Sequence, residues 1–437
     1  MEIRRQNDIV AFRMTGEAPW AFHARNLEVA EISEELWAQL SPSETSDSEL
    51  QELLNSWNQE INPNVIPGRS IQQIRSLTIN VTQICNLKCT YCAAGGDGTY
   101  GSPQTKISVE KTLPQLKYFL EKLPDSGTFK IVFLGGEPLL YPEGIRAIAN
   151  YVSLMTAGRN IRPQFSIVTN GTLLNDENLQ LLQDIKCNVT VSVDGPAPIN
   201  DQVRPMKNGG GSSTLVAEGL KKLFAIKANL GAVTLHGVFT KENMQLEEAY
   251  AFYRQYPTDR IELTYGVSEL DQDANDQFIL GMKRIAAKAF EDGGEVELRR
   301  INFFANMFSV LDEQRRTENF CGAGKSFLVV DANNHVFTCP WDVGQKSEQV
   351  GQGTEINQSE LERYAQPLIE QNNCGTCWAR YLCGGGCMFI HKQATGSKNT
   401  KSKQFCSRMQ SLLATTLFYY KKGRDTAIEV TNDNTSH

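Results

Sequence analysis

Ten of the eleven cysteines in this chain fall into two groups, a distribution that ties two stretches to metal or redox chemistry before any fold is considered. The first group, Cys85-Asn86-Leu87-Lys88-Cys89-Thr90-Tyr91-Cys92, puts three thiols within eight residues, directly after an apolar strand-like run from Leu77 to Ile84. The CxxxCxxC spacing lets one tight loop aim three thiolates at a point, and thiolate is the ligand that iron–sulfur clusters select. A four-iron cluster needs four iron ligands, so three cysteines leave one iron open to a substrate or cofactor. The bland alternatives are a zinc knuckle short of a ligand or three unrelated cysteines. The second group is Cys321, Cys339, Cys374, Cys377, Cys383, Cys387 and Cys406. One zinc takes four ligands, which seven cysteines exceed.

At 437 residues the chain is longer than one core usually serves, so two or three domains are expected, and 41% apolar residues supply them. A net charge of −7 with no basic block argues against a phosphate-binding face and so against a nucleic-acid partner. Met1 to Phe12 mixes charges among its apolar residues without a signal-peptide core, and no run of about 18 apolar residues is present to span a bilayer. A cytoplasmic protein with no membrane partner is expected. In that reducing setting the cysteines point to metal ligation or catalysis rather than to disulfides.

Residues 1–70 read as a small separate region. Strands are expected at Ile9 to Met14 and Trp20 to His23 and a helix from Leu27 to Leu40. A polar linker, a helix over Glu49 to Asn58 and breaks at Asn62, Pro63, Pro67 and Gly68 follow. From Ser76 to Gly294, β-branched runs alternate with helical patterns, the signal for parallel βα units. Six strands are expected, at Leu77 to Ile84, Phe129 to Leu134, Gln164 to Val168, Asn188 to Val193, Ala232 to Phe239 and Arg260 to Tyr265. Helices follow at Val109 to Lys122, Pro142 to Met155, Asp176 to Gln183, Thr214 to Ala228, Leu246 to Tyr256 and Ala274 to Phe290.

In parallel barrels function gathers at the carboxyl ends of strands. Gly135-Gly136-Glu137-Pro138 ends the second strand, where glycines let backbone approach a ligand and proline stops the strand. Thr169-Asn170-Gly171, Ser192-Val193-Asp194-Gly195 and Val238-Phe239-Thr240 end the next three, and Arg204 follows in a loop. Polar groups in such places either contact a ligand or cap the next helix. The Met206 to Ser213 loop, with Gly209-Gly210-Gly211, is expected to be mobile. Cys187 reads as a small buried hydrophobe. Glu262 and Tyr265 are candidate bases or ordinary strand-face residues. The tail is expected to be helical from Ser407 to about Lys422 and disordered from Thr431 to His437.

CxxxCxxC with an aromatic, Tyr91, before its last cysteine resembles the signature of the radical S-adenosylmethionine (SAM) superfamily. The resemblance implies a partial (β/α)6 TIM-like barrel at 71–295, with a small N-terminal α+β domain at 1–70. It also implies that Cys85, Cys89 and Cys92 hold a [4Fe–4S] cluster whose open iron chelates SAM. A reduced cluster would then yield a 5′-deoxyadenosyl radical that takes hydrogen from a substrate. In that pattern Gly135, Gly136, Glu137 and Pro138 bind the SAM amino group. Asn170, Ser192 and Asp194 contact the ribose and carboxylate, Arg204 pairs with the carboxylate, Val238 makes an apolar contact with adenine, and Tyr91 belongs to the same cofactor-binding set.

The second cysteine group resembles a SPASM domain, here 296–437, which holds two auxiliary [4Fe–4S] clusters and brings the cofactor count to three clusters plus SAM. By position, Cys374, Cys377, Cys383 and Cys406 close one cluster, and Cys321, Cys339 and Cys387 hold the other. Asp312 to Phe320 contains no cysteine, so the fourth ligand of the latter is open among substrate, water, Asp331, Asp342 and His335. Asn334 stands where a hairpin glycine is usual and tolerates the same left-handed turn.

The resemblance is to oxidoreductases that mature ribosomally made (RiPP) peptides. It implies a precursor-peptide substrate, an intrapeptide thioether or carbon–carbon crosslink, and an electron donor such as flavodoxin or ferredoxin. A leader-binding role for residues 1–70 or for a separate protein is also implied. Alternatives are backbone excision, epimerisation, anaerobic sulfatase maturation, or a non-catalytic metal or electron-transfer protein.

Overall fold

The computed structural model describes residues 2–6, 8–40, 74–92, 105–124 and 126–434, with side chains through residue 425. The chain divides into two compact units. One comprises Met1–Pro67, Met282–Cys321 and Pro367–His437, and the other Gly68–Gly281 and Gly322–Gln366.

The first unit opens with an antiparallel meander of β1 (Glu2–Gln6), β2 (Ile9–Arg13), β3 (Trp20–His23) and β4 (Glu28–Glu31). A short helix, Glu34–Gln39, follows, capped by Ser33, whose side chain accepts from the Leu36 amide. Trp37 and Leu40 pack on Ile9, Ala11 and Ala21. The helix expected from Leu27 is therefore mostly absent. Leu27 adopts φ +57°, which a helix cannot continue, and Glu28–Glu31 pairs with β3 instead. Cross-strand pairing has overridden local spacing. The expected linker, the Glu49 to Asn58 helix and the breaks up to Gly68 lie outside the described residues.

The second unit is built on parallel strands β5 (Ser76–Thr82), β6 (Ser126–Gly135), β7 (Asn160–Thr169), β8 (Asn188–Ser192), β9 (Val233–Phe239) and β10 (Arg260–Tyr265), in sequential order. Helices Val109–Glu121, Pro142–Thr156, Asp176–Asp184, Ser213–Ala225 and Leu246–Tyr253 connect them, and Gln272–Leu298 follows β10. This is the expected partial barrel. Ser108 and Asn175 cap two of the helices through their side chains, which fixes where strand gives way to helix. On β5 the buried Leu77, Ile79 and Val81 share one face and Thr78, Asn80 and Thr82 the other, as a period of two requires.

The sheet also runs further than the sequence suggested. β11 (Phe327–Val330) adds in parallel to β5, and β12 (His335–Phe337), β13 (Gln349–Gln352) and β14 (Glu355–Ile356) follow antiparallel. Asn334 turns the β11–β12 hairpin at φ +65°, as its residue type allowed. The C-terminal helix spans Lys403–Asn434, longer than expected, and the last three residues lie outside the described set. Among the described residues no helix is long and apolar enough to cross a membrane.

Candidate active site and thiol centres

Cys85, Cys89 and Cys92 line one cavity at the carboxyl ends of the parallel strands, together with Gly135, Gly136, Asn170, Ser192 and Val238. The cysteine loop is held there by a short antiparallel ladder. Lys88 N donates to Pro205 O (2.8 Å), Thr90 N to Val203 O (2.9 Å) and Lys207 N to Asn86 O (3.1 Å), around a Leu87–Met206 bridge. The Gly209 turn belongs to this ladder and is tied down: Met206 N bonds Gly210 O, and Asp201 Oδ1 accepts from the amides of Ser212 and Ser213.

The two glycines after β6 have a different first task from the one their sequence suggested. A Cβ on Gly135 would lie 2.2 Å from Thr82 O, and one on Gly136 2.1 Å from Ile84 O. Gly136 N and Glu137 N donate to those same carbonyls at 2.8 Å. The glycines thus let the end of β6 clamp the entry to the cysteine loop.

Three residues of the predicted cofactor set, Glu137, Pro138 and Asp194, are buried and do not line the cavity. Glu137 accepts from Asn170 N (2.7 Å), Thr169 Oγ1 (2.8 Å) and Leu139 N (3.1 Å). Burial pushes its carboxyl up to about 7 against those three donors. Asn170 is fixed by that contact and by Nδ2 to Asn86 Oδ1 (2.8 Å), which brings the same amide within 3.8 Å of Cys85 Sγ. Asp194 accepts from the Tyr91 hydroxyl, Arg204 Nε (3.2 Å) and Val238 N (3.0 Å). Burial, with the Asp194 charge, keeps that phenol protonated.

The sulfurs sit in surroundings suited to a cluster. Burial pushes the Cys85 thiol up to about 12 and raises Cys89, so without a cation both stay neutral. Leu87 N (3.4 Å) and Asn170 Nδ2 point at Cys85 Sγ, and Arg204 Nη1 at Cys89 Sγ (3.8 Å). Such donors stabilise thiolate, and bound iron would supply the charge that burial withholds. The donor set therefore fits an iron–sulfur cluster.

Sequence reading missed two polar groups in the same cavity. Asn80 on β5 is 2% exposed and its Oδ1 has no hydrogen-bond partner. His236 on β9 lies 3.1 Å from Thr264 Oγ1. Burial lowers its pKa, while Glu262, its partner in register on β10, works the other way. A polar residue recurring on the inner face of an otherwise apolar strand was the available signal. Tyr265 is buried and its hydroxyl donates to Asp271 O, while Cys187 is fully buried, as expected.

In the first unit, Cys374, Cys377, Cys383 and Cys406 line a second cavity with Arg5 and Lys401. Burial, then the charges of the other three, raises the Cys383 thiol. Gln410 Nε2 donates to Cys377 Sγ at 3.4 Å. These four thiols fit a closed cluster by the same reasoning. Cys321 and Cys387 lie in this unit and Cys339 in the other.

Residues 79–253 match the radical SAM superfamily. The chain is 32% identical over 183 residues to an uncharacterized protein, MJ0907, of Methanocaldococcus jannaschii, a match spanning 42% of this chain but only 59% of that one. It is 27% identical to the mycofactocin maturase MftC of Mycobacterium ulcerans (71% and 82% covered). It is 23% identical to a cysteine-type anaerobic sulfatase-maturating enzyme of Clostridium novyi (75% and 91%). The solved structure of anSMEcpe with bound AdoMet and a Kp18Cys peptide has the same fold, with a TM-score of 0.62 at 19% identity over 82% of this chain and 99% of that one.

Residues 79–253 thus carry a radical SAM domain. Over a longer span the chain is similar to a mycofactocin maturase and to a sulfatase-maturating enzyme.

Proposed function

We propose that this enzyme binds SAM and a [4Fe–4S] cluster at Cys85, Cys89 and Cys92 and oxidises a ribosomally made precursor peptide, forming an intrapeptide crosslink. The carrying observation is the three-thiol cavity itself, closed by strand-end polar groups and lined on its inner wall by Asn80 and His236. Cluster and SAM together supply hydrogen-atom abstraction at a substrate carbon. The chain's own residues do the placing. Asn170 is locked toward the sulfurs by Glu137, and Ser192 and Val238 line the SAM side. Arg204 offers a fork suited to a carboxylate.

Asn80 Oδ1 and His236 are groups that an amide or hydroxyl of a substrate can satisfy, which fits a peptide better than a hydrocarbon. The same-fold structure that holds AdoMet and a peptide supports a peptide substrate. Two auxiliary clusters, on Cys374, Cys377, Cys383 and Cys406 and on Cys321, Cys339 and Cys387, are part of this reading. They would accept the electron that crosslinking leaves, and flavodoxin or ferredoxin would recharge the SAM cluster. Residues 1–70 act as a leader-binding or capping domain. The sulfatase-maturating relative supports a second reading, oxidation of a sulfatase Cys or Ser.

The test is anaerobic reaction of reconstituted enzyme with SAM, a strong reductant and the small peptide encoded beside its gene, followed by mass spectrometry. Loss of two hydrogens, matched by 5′-deoxyadenosine and located by fragmentation to a new crosslink, is the expected result. A larger mass loss means backbone excision. Deoxyadenosine with an unchanged peptide, but an oxidised sulfatase fragment, overturns the peptide reading in favour of the second.

A further inference from the structure

Asp194 occupies a strand end where sequence suggests a contact to the cofactor, yet its carboxylate has nothing left to offer one. It is fully buried behind the cavity wall. Oδ2 accepts from the Tyr91 hydroxyl and from Arg204 Nε (3.2 Å), and Oδ1 accepts from Val238 N (3.0 Å). The residues it holds do line the cavity: Tyr91, Arg204 and Val238 all face it.

Arg204 is held by further contacts. Its neighbours Val203 and Pro205 accept from Thr90 N and Lys88 N of the cysteine loop. Ser212 Oγ donates to its carbonyl (2.7 Å), and its guanidinium lies 5.6 Å from the Tyr91 ring centroid. Nη1 stands 3.8 Å from Cys89 Sγ. A buried guanidinium with one edge on a carboxylate has its orientation set by that carboxylate.

We infer that Asp194 is a positioning residue. It locks Arg204 between the Cys89 sulfur and the cavity, so that the arginine's remaining edge can receive an anionic group of the ligand, the carboxylate of SAM. This rests on the reading that a cluster and SAM occupy the site. A wild-type protein that assembles no cluster would fail that reading and would leave nothing for Asp194 to position.

The experiment uses reconstituted full-length enzyme with SAM alone as probe, so the unknown substrate does not enter. SAM dissociation constants are read from the change SAM causes in the electron paramagnetic resonance of the reduced cluster. They are measured in wild type, Asp194→Asn, Arg204→Met and the double variant. Total iron and the spectrum of the remaining clusters show that each protein has folded.

Because a hydrogen bond to a charged partner is at stake, Asp194→Asn is expected to weaken SAM about tenfold in the wild-type background and not at all in the Arg204→Met background. Equal weakening in both backgrounds means Asp194 touches SAM itself and overturns the inference, as does wild-type affinity in Asp194→Asn. Should Asp194→Asn lose iron, Tyr91→Phe serves instead, since its hydroxyl reaches Asp194. A weakening of about two- to threefold that vanishes in the Arg204→Met background supports the inference. No effect, or the same effect in both backgrounds, overturns it.

Discussion

The three-thiol loop at Cys85–Cys92 and the four-thiol set at Cys374–Cys406 use the same ligand atom and surround it differently. Around the first, the neighbours are side chains from the ends of several strands: Asn170 after β7, Ser192 on β8 and Val238 on β9, with Arg204 locked by Asp194. Around the second, the neighbours brace the loop itself. Arg5 Nη2 donates to Thr376 O (3.0 Å), Arg380 Nη1 donates to Cys377 O (3.0 Å), and Arg380 and Arg25 share the Asp8 carboxylate. Trp378 sets its ring edge-on to Phe12 and Phe22, at centroid distances of 6.1 and 6.3 Å. Three thiols in a lined cavity leave room for chemistry. Four thiols inside a brace, on the proposed reading that they hold a cluster, leave room for electrons, whose energy would be tuned by hydrogen bonds and burial.

The largest effect that bears on this contrast is expected from removing the first site outright. Replacing Cys85, Cys89 and Cys92 by alanine should abolish 5′-deoxyadenosine formation while iron and sulfide remain on the other cysteines, as metal analysis and electron paramagnetic resonance would show. An unchanged iron content in that variant would sink the assignment of the loop.

Next in size is Asp8→Ala. Asp8 and Arg380 are 9% and 7% exposed, and deleting the acid leaves a nearly buried guanidinium with no carboxylate. A loss of about 3–5 kcal/mol in urea unfolding is expected, with iron lost from the four-thiol site first. A loss below about 1 kcal/mol, within the usual range for surface pairs, would mean the brace is decorative.

The pair also has a pH signature. Burial alone would raise the Asp8 pKa, but Arg380 and Arg25 outweigh it and hold the group below its ordinary 3.8. The folded state thus binds its proton later than the unfolded state does. The pair's contribution is complete above about pH 4, is lost as pH falls through the depressed pKa, and does not vary through neutrality. Urea midpoints of wild type and Asp8→Ala should accordingly converge only in acid.

The contrast was unevenly legible in the sequence. The barrel could be read because its strands are apolar runs of period two and its helices start at caps such as Ser108 and Asn175. Both cysteine groups could be read because spacing alone announces them. What could not be read was depth. Glu137 and Asp194 sit in motifs next to cavity residues, yet both point into the wall, and whether a strand-end carboxylate faces a ligand or a neighbour depends on partners 33 and 103 residues away, Asn170 and Tyr91. Asn80 and His236 were passed over for the opposite reason: they lie inside strands, where polar residues look like exceptions. The brace of Asp8 on Arg380 joins residues 372 positions apart, and the left-handed turn at Leu27 that shapes β4 leaves no mark on a leucine.

The smallest expected effect separates tuning from assembly at the braced site. Gln410 Nε2 donates to Cys377 Sγ, and Gln410→Leu keeps volume and charge while removing the donor. A donor stabilises the reduced cluster more than the oxidised one, because reduction adds negative charge to the sulfurs. Its loss should therefore lower the midpoint potential of the four-thiol cluster. One hydrogen bond of about 0.5–1.5 kcal/mol corresponds to roughly 20–60 mV for one electron. Redox titration monitored by electron paramagnetic resonance would show that shift with iron content and SAM cleavage unchanged, since both depend on other residues. A potential that stays put, or one that rises, would mean Gln410 only packs against the sulfur, and the difference between the two thiol sites would then rest on the brace and the cavity alone.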